Sequence, residues 1–221
     1  MSGPNSQPEF KFKLPERLPE MSDNSYTAFI LGALTTRLKM EKRTLVNNPD
    51  GRAENVAEHA FMLSVVAPQL AELLYPDLDV NLVARYGIVH DMAEAYVGDT
   101  PTYDIDANGL QAKYDLEAIG LAKLLADYSS IPSFVKLVKD YEDQIIPEAR
   151  FVRVADKLMP LVVHFCDQGV TLRSYITPEG LQANADYQSA LLRSHYPEFG
   201  KLIDVRDELS SLLAANMWPK E

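Results

Sequence analysis

From Asn24 onward, apolar side chains recur at helical spacing with few interruptions. Phe29, Ile30, Leu34 and Leu38 share one face of a stretch that Asp23, Asn24 or Ser25 can cap, and the spacing predicts a helix to about Lys42. The run Asn47-Asn48-Pro49-Asp50-Gly51 then predicts a loop, since each member favours turn geometry. Asn55 opens Asn-Val-Ala-Glu, a capping-box spacing in which Glu58 can reach back to the Asn55 amide. The helix that follows carries Met62, Leu63, Val66, Leu70 and Leu73 inward and stops before Pro76. A next helix runs from an Asn81 cap to Val97 and ends at Gly98. Leu82, Val83, Tyr86, Ile88, Val89, Met92, Tyr96 and Val97 make it apolar on nearly every side, as befits a helix at the centre of a domain. Helical spacing continues through 110–128, 132–143, 148–168, 178–194 and 199–217, with Ser130 and Thr177 as caps ahead of Pro132 and Pro178 and Gly169 as a C-terminal glycine. No run of alternating β-branched residues stands between turns, so the chain reads as all-α.

The first 23 residues break the pattern. Pro4, Pro8, Pro15 and Pro19 block helix and strand ladder alike, which predicts an extended or mobile arm followed by one helical domain over 24–221. A 47% hydrophobic content excludes wholesale disorder. The balance of 21 Lys and Arg against 32 Asp and Glu, a net charge of −11, argues against general binding to a nucleic-acid backbone. It leaves room for a small phosphorylated substrate, provided that a metal or a few arginines supply a local positive centre. Cys166 stands alone, which excludes an intrachain disulfide and a CxxC site. No apolar run approaches the ~18 residues of a membrane span, and the N-terminal stretch lacks a signal-peptide core, so a cytoplasmic protein without membrane attachment is expected.

The central helix contradicts itself chemically. His90, Asp91 and Glu94 interrupt its apolar surface at i, i+3 and i, i+4 spacing, and burying them is costly unless something positive neutralises the carboxylates. A salt-bridge cluster with a neighbouring arginine and a metal site both satisfy that need. Of the four histidines, His59 lies in the first turn of the Asn55 helix on its apolar stripe, where a hydrogen-bonded core histidine is the plain alternative to a ligand. Asp156, in Arg-Val-Ala-Asp-Lys-Leu, reads by itself as an ion-pair partner of Arg153 or Lys157. His164 and His195 read as structural, the latter near a helix C-terminus.

Taken together, His59, His90-Asp91 and Asp156 match the H…HD…D pattern of the HD-domain metal-dependent phosphohydrolases. Glu-Asn-Val-Ala-Glu-His (54–59), His-Asp-Met-Ala-Glu (90–94), Gly-Asp-Thr-Pro-Thr (98–102), Val-Ala-Asp-Lys-Leu (154–158) and Arg-Leu-Lys-Met-Glu-Lys-Arg (37–43) resemble the corresponding blocks of the 5′-deoxynucleotidase branch. The resemblance covers about residues 25–170 and implies an HD-type helical bundle. It implies His59, His90, Asp91 and Asp156 as ligands of one divalent ion. Two imidazoles and two carboxylates suit Mn²⁺, Co²⁺, Fe²⁺ or Zn²⁺ better than Mg²⁺. By the same resemblance Arg43 binds the substrate phosphate and Glu94 transfers a proton, with orientation of a ligand histidine as its alternative role. Asp99 contacts the sugar hydroxyl, steers water, or caps the turn with Thr100. Arg52 is a second phosphate candidate, or a solvated loop arginine.

Two departures bear on the substrate. The branch commonly has Trp after the phosphate-binding arginine, where this chain has Thr44, and the loop from Arg43 to His59 is one residue longer. The implied activity is hydrolysis of deoxynucleoside 5′-monophosphates; the Thr44 departure keeps a dNTP triphosphohydrolase releasing tripolyphosphate as the alternative. Ala95 after Glu94 removes a carboxylate that alarmone hydrolases carry, and the further histidines of HD-GYP enzymes have no matching context. A non-catalytic nucleotide-binding or scaffolding protein is the alternative of another class, and loss of a metal ligand would be its mark. Residues 170–221 contribute no motif, though the apolar helix at 202–213 leaves room for a homodimer or higher homo-oligomer.

Overall fold

The computed structural model describes residues 10–99 and 107–218. Among them helices dominate: α1 (Asp23–Leu38), α2 (Val56–Leu74), α3 (Val80–Val89), α4 (Glu94–Val97), α5 (Ala107–Asp127), α6 (Pro132–Asp143), α7 (Pro147–Asp156), α8 (Met159–Cys166), α9 (Pro178–His195) and α10 (Gly200–Asn216). A hairpin of β1 (Lys42–Asn47) and β2 (Ala53–Asn55) separates α1 from α2. The expected helical bundle is therefore correct, with this one addition.

Helix α3 is the hub, packed against α2, α6 and α7. Its Val83, Tyr86 and Val89 join Leu63, Ala67 and Ala71 of α2 and Phe151, Val152 and Ala155 of α7 in one core. Helices α2 and α3 cross at Gly87, where a Cβ would lie 3.0 Å from the backbone of Ser64. Glycine allows that approach without either backbone giving way, and it brings the first half of α2 beside the end of α3.

Residues 10–22 form neither helix nor strand, yet they are pinned. Phe12 is buried edge-on to Tyr96, the Lys11 amide donates to the Tyr96 carbonyl at 2.8 Å, and the Lys11 ammonium meets Glu41 at 2.8 Å. Residues 1–9 of the expected arm lie outside the described residues.

Several expected boundaries move. Helix α1 is capped by Ser22, and it ends four residues early because the chain from Lys42 turns into a strand. The turn formers 47–51 close a hairpin instead of a loop: Asn48 donates to the Arg52 carbonyl and Gly51 to that of Asn48, with Gly51 at φ 82°. Leu45 at φ 61° lies where the register shifts between Lys42 and Asn47, so the in–out alternation of Lys42–Leu45 does not continue to the end of the strand. The predicted helix from Asn81 to Val97 starts instead with an Asp79 cap and breaks at residues 90–93 into α3 and α4. The predicted helix 148–168 breaks after Asp156, since Pro160 cannot continue the ladder of the preceding turn. The Ser130 cap is not made, whereas Thr177 accepts from the Gly180 amide at 3.1 Å. Phe29, Leu73 and Ile88, expected inside, are exposed. On α10, Leu202, Ile203 and Leu213 are buried within the chain itself, whereas Leu212 stays exposed. No helix among the described residues is long and apolar enough to cross a membrane.

Candidate metal centre

The Asn55 capping box forms as its sequence dictates: the Asn55 side chain accepts from the Glu58 amide at 3.0 Å, and Glu58 accepts from the Asn55 amide at 3.1 Å. The cap fixes where α2 begins, and thereby sets His59 in its first turn with no exposed surface.

His90 and Asp91 stand where α3 stops. The amides of Met92, Glu94, Ala95 and Tyr96 bond three residues back, to Val89, Asp91, Met92 and Ala93, which tightens the chain into a turn. His90, Asp91 and Glu94 are therefore not on one regular helical edge as the sequence spacing implied. The Nδ1 of His90 lies 2.9 Å from the Gly87 carbonyl, which assigns the ring proton to Nδ1 and leaves Nε2 facing the interior.

Asp156 closes α7 and is buried. Its Oδ1 lies 2.8 Å from His59 Nε2 and 3.7 Å from His90 Nε2, while Lys157 Nζ meets Oδ2 at 2.8 Å. The ion pair with Lys157 expected from sequence is present, but the other oxygen points inward. Asp91 Oδ2 is 2.8 Å from His90 Nε2 and 4.0 Å from His59 Nε2. His59, His90 and Asp91 each offer a donor atom within 4.8 Å of the other two, a group that could hold a metal ion. The donors fit such an ion chemically: with its proton on Nδ1, the buried His90 Nε2 turns a lone pair toward the Asp91 oxygen 2.8 Å away, and two imidazoles with carboxylate oxygens suit a borderline divalent cation.

Arg43 projects inward from β1, its Nη1 3.4 Å from Asp91 Oδ2 and its Nε 3.2 Å from Glu54 Oε2 on the paired strand. Strand alternation turns the next residue outward, so the Thr44 side chain is exposed and the residue contributes its backbone amide, which donates to Asp99 Oδ2 at 2.9 Å. The Asp99 amide in turn donates to Glu41 at 3.3 Å, and Glu41 also pairs with Arg37 and Lys11. Asp99 thus ties the chain after α4 to the Arg43 strand; Thr100, its expected partner in capping the turn, lies outside the described residues. Arg52 is half exposed and grips Glu58 through two bonds of 2.9 and 3.0 Å, so the structure does not bring it into the cluster. His164 and His195 stand apart, the first 3.1 Å from the Tyr175 hydroxyl and the second exposed in the last turn of α9.

Charge and burial pull in opposite directions here. Burial lowers the His59 pKa, with Arg43 adding to the effect over the pull of Asp156. Burial would also lower His90, but Asp91 and Asp156 outweigh it and raise its pKa. Burial would raise Asp91 and Asp156, yet the facing imidazoles, and Lys157 for Asp156, hold both well below the ordinary carboxylate range. Glu94 is pushed well up by burial, Asp91 and Asp99, and its Oε2 has no hydrogen-bond partner. A carboxyl whose pKa rises on folding holds its proton more tightly in the folded state, so its contribution to stability is lost as pH climbs above the ordinary value of 4.5. Glu94→Gln, which cannot ionise, is expected to raise the melting temperature of the ion-free protein at pH 8 by more than at pH 5. Melting both proteins in chelator at the two pH values checks this, and an equal difference at both would show that Glu94 ionises without cost.

The site also includes residues that the sequence did not single out. Glu41 and Glu54 are buried carboxylates beside Arg43 and Asp99. An i, i+4 pairing with Arg37 was the only readable signal for Glu41, and nothing local distinguishes Glu54 from a solvated hairpin residue.

Comparison with known proteins agrees with this architecture. Proteins named 5′-deoxynucleotidase are similar at low identity. That of Homo sapiens is 25% identical over 167 residues, 74% of this chain and 76% of its own. That of Xenopus laevis is 27% identical over 171 residues, 75% and 78% of the two chains. That of Danio rerio is 28% identical over 111 residues, so the match spans 49% of this chain and 53% of that one, about half its length. Among solved structures, one described as a predicted metal-dependent phosphohydrolase from Magnetospirillum magnetotacticum has a TM-score of 0.63 at 24% identity, over 85% of this chain and 94% of that one. A protein from Pyrococcus horikoshii has a TM-score of 0.52 at 23% identity, over 81% and 96%. These two likenesses speak for the fold. The HD domain profile itself matches residues 35–189, well over half the chain, and that stretch contains both histidines, both aspartates and Arg43: the chain belongs to the HD domain family.

Proposed function

We propose that the protein is a metal-dependent phosphohydrolase of nucleotides, foremost a 5′-deoxynucleotidase that converts a deoxynucleoside 5′-monophosphate and water to the nucleoside and orthophosphate. One observation carries the reading: the partly buried guanidinium of Arg43 lies 3.4 Å from an Asp91 oxygen that is itself 2.8 Å from His90 Nε2. A cation and a group of metal donors thus share one carboxylate; with an ion bound, two positive centres would lie within reach of a single phosphoryl group. The names of the relatives point to the same substrate class.

In this reading His59, His90, Asp91 and Asp156 hold the ion. When bound, it supplies Lewis-acid polarisation of a phosphoryl oxygen and acidifies a water molecule. Arg43 binds the other phosphoryl oxygens through its planar fork and stabilises the charge redistributed over them in the transition state. Glu94, buried and inclined to stay protonated, holds a proton on its carboxyl that it can give to the departing 5′ oxygen. Asp99, fixed by the Thr44 amide, stands ready for a sugar hydroxyl.

Arg43→Ala is expected to raise KM and lower kcat together, because its partner is the group whose charge changes during reaction. Arg43→Lys should recover only part of the loss, since an ammonium lacks the two-pronged contact. The direct test is a nucleotide screen with Mn²⁺ and Co²⁺ and analysis of products. Orthophosphate from dNMP supports the proposal, tripolyphosphate from dNTP supports the triphosphohydrolase alternative, and no release from any nucleotide leaves the non-catalytic reading.

A further inference from the structure

Three buried polar atoms behind the cluster face one another without a hydrogen bond: Glu54 Oε2, Arg43 Nε and His59 Nδ1. Glu54 sits on β2 with 3% of its surface exposed. Its Oε2 is 3.2 Å from Arg43 Nε across the hairpin and 3.9 Å from His59 Nδ1 at the start of the next helix. The far side of each neighbour looks into the cluster: His59 Nε2 toward Asp156 and Asp91, and Arg43 Nη1 toward Asp91. A carboxylate this buried is costly, and one ion pair with Arg43 leaves the orientation of His59 unexplained.

The histidine supplies the second half of the argument. For His59 to offer Nε2 as an electron pair, its proton must reside on Nδ1 and needs an acceptor there. Glu54 Oε2 is the carboxylate oxygen on that side of the ring. The same oxygen occupies the Nε edge of the Arg43 guanidinium, which leaves the two Nη groups to turn toward an anion.

We propose that Glu54 is a positioning residue that couples metal binding to phosphate binding, its Oε2 paired with the Arg43 Nε edge and drawn from 3.9 Å onto the Nδ1 proton of His59 when Nε2 of that ring holds the ion. This rests on the metal-centred reading above. A carboxylate that serves only as counter-ion to Arg43 would act on the phosphate and not on the metal, and that difference decides the experiment.

Mn²⁺ affinity is measured by calorimetry, without nucleotide, for the unaltered protein, Glu54→Gln, Arg43→Ala and the double variant. Loss of a carboxylate that orients a ligand histidine lowers metal affinity by roughly 10–100-fold. That loss is expected for Glu54→Gln and again when Glu54→Gln is added to Arg43→Ala, where no guanidinium remains to be paired. In turnover, Glu54→Gln should also raise KM. Each preparation is checked by helical circular dichroism. If Glu54→Gln does not fold, Glu54→Asp in the Arg43→Ala background supplies the reading: it withdraws the carboxylate from the ring where no guanidinium remains to be paired, and weakened Mn²⁺ binding supports the proposal. Unchanged Mn²⁺ affinity on removal of Glu54 in the Arg43→Ala background, with tight binding by the unaltered protein, overturns the coupling alone. Absence of Mn²⁺ binding by the unaltered protein overturns the metal-centred reading and this proposal with it.

Discussion

Glu94→Ala is expected to keep its metal and lose roughly 10²–10⁴ of its turnover, the usual contribution of a general acid–base group. The four proposed ligands stay in place in this variant. Glu94 belongs to α4, beyond the turn that carries His90 and Asp91, and its Oε2 bonds to none of them. What disappears is a buried carboxyl that Asp91 and Asp99 help to keep protonated. Metal content and turnover must be measured on the same preparation. A variant that comes out metal-free would make Glu94 a ligand or the support of one. A variant with metal and full turnover would make it packing, and Asp99 the next candidate for proton transfer.

Asp91→Ala is expected to do the opposite and abolish activity by losing the ion itself. Asp91 stands between the two histidines and the arginine, beside His90, Arg43 and, at 4.0 Å, His59. Removing it leaves Arg43 with Glu54 as its remaining ion-pair partner among the described residues and His90 without the stronger of the two carboxylates that raise its pKa. Losing one partner of a buried charged network typically costs about 3–5 kcal/mol. The loss of metal separates cleanly from the loss of stability in a melting experiment. Saturating Mn²⁺ at 100 times Kd stabilises a binding protein by about 2.7 kcal/mol, so the unaltered protein should melt higher with Mn²⁺ than with chelator, and Asp91→Ala at the same temperature in both. A Mn²⁺-dependent rise in the variant as large as in the unaltered protein would remove Asp91 from the ligand set.

Much of this molecule was legible locally. The capping box at Asn55, the Thr177 cap and the extent of α6 follow from patterns that a few neighbouring residues complete among themselves. The chemistry-bearing residues were legible too, because a nitrogen and oxygen donor set amid apolar spacing is conspicuous in a chain with only four histidines. The break after Asp156 was available in Pro160 and was hidden by the apolar spacing on either side of it.

The sequence by itself thus determined the helical stretches, the caps at Asn55 and Thr177 and the residues able to do chemistry, since each depends on contacts within a turn or two of the chain. Tertiary structure alone decided how those residues face one another. No glycine or proline marks the turn at residues 90–93, and it exists because His90 anchors on Gly87 while α2, crossing at that same glycine, brings His59 beside it. Likewise, the hairpin's short strands and irregular register left too short an alternation to read, so the burial of Glu54 and the inward aim of Arg43 came from pairing and packing. Whether a carboxylate ends in water or against an imidazole is set by what the rest of the chain lays over it, and that is a nonlocal property.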